Sequence, residues 1–136
     1  MQALITQIAK QMGIDEALAQ KGISIVLSLV QSQGDGNLVA QLFDKMPGAS
    51  DLASAGSSAL NSGSGRGGGL MGMVGGMLGG GAGEIMSAVS QLQSDGLETS
   101  QIKELSGQVL DYAKQEGGDD LVGQITASIP GLSKFL

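Results

Sequence analysis

ISIVLSLV, residues 23–30, is the stretch on which the fold turns, because eight residues of this composition suit either a buried strand or a helix. Periodicity alone does not separate the two readings. A second stretch does. Sliding the chain by 83 residues lays Ile23–Val30 over Ser106–Ala113, SGQVLDYA. There Val109, Leu110 and Ala113, with Leu105 just upstream, recur at helical spacing. The second copy selects helix for both.

The register extends in both directions. Gly36–Ala53 (GNLVAQLFDKMPGASDLA) lies over Asp119–Leu136 (DDLVGQITASIPGLSKFL), and upstream the match runs through Gly34/Gly117 to Gly13/Gly96. Ten of forty-one positions are identical without a gap. One register held so long reads as a duplication of a three-helix unit. The first helix, Gln2–Met12, carries Ile5, Ile8, Ala9 and Met12 on one face, and its counterpart carries Ile85, Met86, Val89 and Leu92. Gly13-Ile14 and Gly96-Leu97 then read as left-handed caps followed by an apolar residue. Asp15, and either Thr99 or Ser100, suit the N-cap of the second helix, which Gly34 and Gly117–Gly118 end. The third helix holds Leu38, Val39, Leu42 and Met46 in one copy and Leu121, Val122, Ile125 and Ile129 in the other. Pro47 and Pro130 stop it. Equivalence of the copies predicts that Leu38 and Leu121 are both buried.

Between the copies, residues 54–66 (SAGSSALNSGSGR) have the composition of a linker. Gly67–Gly83, GGGLMGMVGGMLGGGAG, is harder to place, since ten of its seventeen residues are glycine and none is charged. On a helical wheel with Gly68 at zero, Gly69, Gly72, Gly75, Gly76, Gly79 and Gly80 fall between about −20° and +120°. Leu70, Met71, Met73, Val74, Met77 and Leu78 fall between about 140° and 300°. Seven glycines cost such a helix on the order of 6 kcal/mol relative to alanine. It survives only if the spacing Gly68, Gly72, Gly76, Gly80 admits another backbone and the Met/Leu face is also buried. A packed glycine-faced helix and a linker both remain open here. The expected architecture is all-α: two pseudo-symmetric three-helix units, 1–53 and 84–136, flank a Ser/Gly linker at 54–66 and the central glycine-rich helix or linker at 67–83.

Composition narrows the chemistry. With 136 residues, two Phe, one Tyr and no Trp, the core must be built from Leu, Ile, Val, Met and Ala. A net charge of −6 argues against nucleic acid as a partner, because phosphate backbones need clustered Lys and Arg. There is no cysteine and no histidine, which removes thiolate chemistry, zinc–sulfur sites and the commonest general base. The N-terminus, MQALITQIAKQMG, lacks the basic and long apolar regions of a signal peptide, which points to the cytoplasm; a processed mature form would belong to the periplasm or outside. Gly67–Gly83 reaches the lower length limit for a bilayer span, but glycine dilutes its hydrophobicity and favours a buried helix.

No stretch carries a catalytic pattern. The glycine run lacks the Gly-Lys-Ser/Thr ending and the preceding strand of a phosphate loop. The acidic loop Glu116–Asp120 lacks the alternating ligands of a calcium loop, and Asp119 or Asp120 is needed as a helix N-cap. The matching loop Gly34–Asn37 reads the same way. Tyr112 occupies the position of Leu29 and reads as a packing residue. The serines have no histidine and no Ser-x-x-Lys partner to act as base.

QKGISIVLSLV, LVAQLFDKMPGASDLAS, the Gly-rich middle and VLDYAKQEGGDDLVGQI together resemble the VcgC/VcgE-like family of uncharacterised bacterial proteins. The resemblance covers most of the chain, through structural glycine, proline and apolar positions. It implies a small α-helical bacterial protein and brings no catalytic residue with it. Members of that family often begin with a secretion signal, from which this N-terminus departs.

The expected function is a non-enzymatic structural or interaction module that self-associates into a homo-oligomer. Its surface would be Gly68, Gly72, Gly76, Gly80, Met71, Met73, Val74, Met77 and Leu78. The alternative is a carrier of lipid or another apolar ligand between the two units, or a binder of a membrane surface, lined by methionines. Neither reading requires a metal or cofactor.

Overall fold

A computed structural model describes residues 2–64 and 81–129. Those residues form seven helices and no strand. In chain order they are α1 (Gln2–Met12), α2 (Glu16–Gln33), α3 (Gly36–Lys45), α4 (Ala49–Ser64), α5 (Gly81–Ser94), α6 (Thr99–Gly117) and α7 (Asp119–Ser128).

The hub is α2. Every residue from Gly22 to Ser28 is buried. Seven consecutive residues span nearly two turns, so all faces of the helix are covered. The covering is supplied by α1, α3, α4, α5 and α6, with α4 making the broadest contact. A helix apolar all round has to sit at the centre of its domain. This explains why Ile23–Val30 imitates a buried strand in sequence. Around it, Leu4, Ile5, Ile8 and Ala9 of α1 and Ile102, Leu105, Val109 and Ala113 of α6 turn their apolar stripes inward.

The helix ends follow local chemistry. Gly13 and Gly96 adopt φ of +66° and +111°. Beyond them the Ile14 N–H donates to the Ala9 carbonyl and the Leu97 N–H to the Leu92 carbonyl, each at 3.0 Å, closing both helices as the sequence predicts. Asp35 caps α3, its Oδ1 accepting from the backbone N–H groups of Asn37 at 3.0 Å and Leu38 at 3.3 Å. Glu98, not Thr99 or Ser100, is the N-cap of α6. Its N–H is taken by Gln101 Oε1 at 2.9 Å, a reach that a long side chain three residues on supplies. Gly118, not Asp119 or Asp120, is the N-cap of α7. At φ +97° this single residue turns the chain out of α6 and into α7, leaving the two aspartates in a first turn where the helix dipole favours them.

Four expectations need correction. Residues 54–64 are not a linker but the body of α4, so the boundary of the first unit at 53 falls inside a helix. Gly81, Ala82 and Gly83, assigned to the central segment, are the first residues of α5, so the second unit does not begin at 84. Met86 points to solvent at 70% exposure, and Ala88 takes the inward place on α5 instead. Leu38 and Leu121 are half-buried, packed on the rim of the core rather than inside it. Pro47 follows the end of α3 as expected, while Pro130 lies outside the described residues.

Two glycine substitutions separate space from backbone strain. A Cβ at Gly107 or at Gly96 would meet no atom within 4 Å, but only Gly96 has positive φ. Gly107→Ala is expected to raise stability by about 0.5–1 kcal/mol through helix propensity, and Gly96→Ala to lower it by about 1 kcal/mol. Urea unfolding of the two variants checks the opposite signs.

Candidate functional site

The nine residues expected to form a self-association or apolar-ligand surface, Gly68, Gly72, Gly76, Gly80, Met71, Met73, Val74, Met77 and Leu78, lie outside the described residues. The helices on either side of them, α4 and α5, both pack on α2 and touch each other.

The closest helix approach in the described structure is between α4 and α2, and it is made of small residues. Ala49, Ala53 and Gly56 of α4 are buried. A Cβ at Gly56 would land on the carbonyl of Ser24 and 2.9 Å from the Ile25 nitrogen, so backbone meets backbone there. One turn further along, the Ser28 and Ser57 hydroxyls share a hydrogen bond of 2.8 Å. Ser24 Oγ donates to the Gln20 carbonyl at 2.6 Å, which satisfies the remaining buried hydroxyl. Small-residue spacing therefore does carry a close helix contact in this chain, but in a stretch whose Ser/Ala/Gly composition imitates a linker. The signal was present in sequence as Ala49, Ala53 and Gly56, at intervals of four and three.

A second feature lies between α2, α5 and α6. Ile25, Val26 and Leu29 of α2, Ile85 and Val89 of α5 and Leu110 of α6 line a partly open apolar hollow of about 40 Å³. Ser106 is the one polar residue in its wall, and its hydroxyl is committed to the Ile102 carbonyl at 2.9 Å. No methionine lines the hollow.

Polar groups are otherwise dispersed. Lys21 of α2 and Asp95 at the end of α5 form an ion pair of 2.8 Å across the two halves of the chain. Asp95 Oδ2 and Gln108 Oε1 are buried without a hydrogen-bond partner among the described residues. Lys103 and Lys114 are both exposed. Three buried serines, Ser24, Ser28 and Ser106, use their hydroxyls on backbone carbonyls or on another serine. Among the described residues no three Asp or Glu side chains gather to hold a metal ion, and no helix is long and apolar enough to cross a membrane. The arrangement can hold helices tightly together and can line a small apolar hollow.

No family model matches the chain, and neither a curated protein nor a solved structure matches it.

Proposed function

We propose that the protein is a non-enzymatic interaction module that self-associates through Gly67–Gly83. The observation that supports this reading is how completely the described helices use their own apolar surface. Twenty-eight apolar side chains are buried, and Met86 is the only large hydrophobic exposed among the described residues. Gly67–Gly83 adds six more large apolar residues among its ten glycines. A second copy of the same stretch offers both a Met/Leu surface to cover and a backbone that can approach closely.

Size-exclusion chromatography with light scattering tests the reading on wild type, Gly76→Leu and Gly123→Leu. Gly123 is the control, since it is exposed on α7 with open space around it. The expected result is a defined oligomer for wild type and the control, and a smaller species for Gly76→Leu. A monomeric wild type would reject self-association.

The hollow between α2, α5 and α6 supports a second reading, that of a carrier for an apolar ligand. It lies where residues of both halves converge. At about 40 Å³ it holds only a few atoms as it stands, so a lipid chain would require the helices to part. Native mass spectrometry of a monomer with co-purified apolar ligand would favour this reading over the first.

A further inference from the structure

We infer that the two halves of the chain meet as the subunits of a symmetric dimer do, so that each half carries a surface fitted to a second copy of itself. In an isologous interface, if residue i touches residue j of the partner, then j touches i. The contacts between the halves have this form at two places, and a groove between them adds to it. Gly22 and Leu105 are equivalent under the 83-residue shift, and they face each other: a Cβ at Gly22 would sit 2.6 Å from Leu105 Cδ1. In an isologous pair, equivalent positions touch only beside the two-fold axis. Gly34 and Gly117 are also equivalent, as are Leu42 and Ile125. A Cβ at Gly34 would meet Val30 and Val39 of its own half first and would then lie 3.3 Å from Ile125 Cγ2, while one at Gly117 would press on Leu42 Cδ1. The groove between α3 and α7 holds two equivalent pairs, Leu38 with Leu121 and Gln41 with Gln124, although Lys45 and Gly117–Asp120 also line it without their equivalents.

The helices repeat the pattern. α1 rests on α6 while α5 rests on α2, and the equivalent pairs α2–α6 and α3–α7 pack on each other. The helix limits agree with it, because α3 and α7 each have ten residues in the same register. Departures are visible too: α3 contacts α6 more broadly than α7 contacts α2, α1 contacts α2 more broadly than α5 contacts α6, α6 contacts α7 more broadly than α2 contacts α3, and α4 covers a face of α2. The partner that this surface fits is a copy of the same unit, and the chain supplies that copy within itself. The inference does not rest on the self-association reading, which concerns a different part of the sequence.

The test exchanges the residues beside the axis in the full-length chain. Gly22→Leu alone inserts a side chain against Leu105, and Leu105→Gly alone leaves a hole, so each lowers the melting temperature by roughly 10 °C or more. The double variant, Gly22→Leu with Leu105→Gly, should recover at least half of the summed loss, because across a two-fold axis the knob and the hole have only changed sides. A double variant that melts at or below the sum of the single losses overturns the inference. If the double variant does not fold, two double-mutant cycles decide instead, Leu42→Ala with Gly117→Ala and Ile125→Val with Gly34→Ala. Coupling in both cycles supports the symmetric interface, and coupling in one or neither overturns it.

Discussion

Gly56→Leu is expected to pry α4 from α2 and to lower the free energy of unfolding by about 3 kcal/mol or more. Helix propensity alone argues for the opposite sign, since leucine favours helix over glycine by most of 1 kcal/mol. The geometry decides. The atoms in the way are the Ser24 carbonyl and the Ile25 nitrogen, which are backbone atoms and cannot rotate aside. Either α2 bends or the two helices move apart, and separation also breaks the Ser28–Ser57 hydrogen bond. Guanidinium unfolding of Gly56→Leu beside Gly107→Ala gives the comparison. Equal stability for Gly56→Leu and wild type would mean that α4 does not dock as described.

Leu27→Asp is expected to leave the chain without a cooperative fold at neutral pH. Leu27 is 1% exposed in the middle of the one helix that is covered on every face. A carboxylate there would be dry, and burying an unpaired charge costs more than the roughly 5–15 kcal/mol that holds a domain of this size together. Leu27→Ala serves as the milder partner, with an expected loss of about 2–5 kcal/mol. Far-ultraviolet circular dichroism during thermal melting reads both. A native-like melt for Leu27→Asp would place the centre of the core somewhere other than α2.

The helices were legible from sequence wherever two independent signals agreed. The stop at Gly13-Ile14 and Gly96-Leu97 was readable because a left-handed glycine followed by an apolar residue has one physical use at a helix end. The second helix of each copy was readable because Val109, Leu110 and Ala113 resolved what Ile23–Val30 left ambiguous. α4 was misread, since serine, alanine and glycine serve both flexible linkers and close helix contacts, and only the partner distinguishes them. The partner is α2, and the contacting hydroxyls of Ser28 and Ser57 are 29 residues apart in sequence. Glu98 as a cap escaped notice because short polar side chains are the usual choice at that position, whereas Glu98 works with Gln101. Met86 was placed inward as a large apolar residue, although Ile85, Val89 and Leu92 set a stripe that Ala88 extends and that Met86, about 160° from Ala88 around the helix, leaves. The surface assigned to Gly68–Gly80 belongs to a part of the chain outside the described residues.

The meeting of Gly22 with Leu105 bears on how such a chain arises. Two separate, identical subunits must present the same residue to each other at a two-fold axis. Glycine against glycine leaves a hollow there, and leucine against leucine collides. Neither subunit can be altered alone, because one gene encodes both. Once the two copies are joined in a single chain, each side of the axis mutates independently, and a large residue on one side can settle into the space left by a small one on the other. On the symmetric-halves inference, the glycine–leucine pair is a fit that only a fused form can reach, and a chain cut back to two identical halves would lose it.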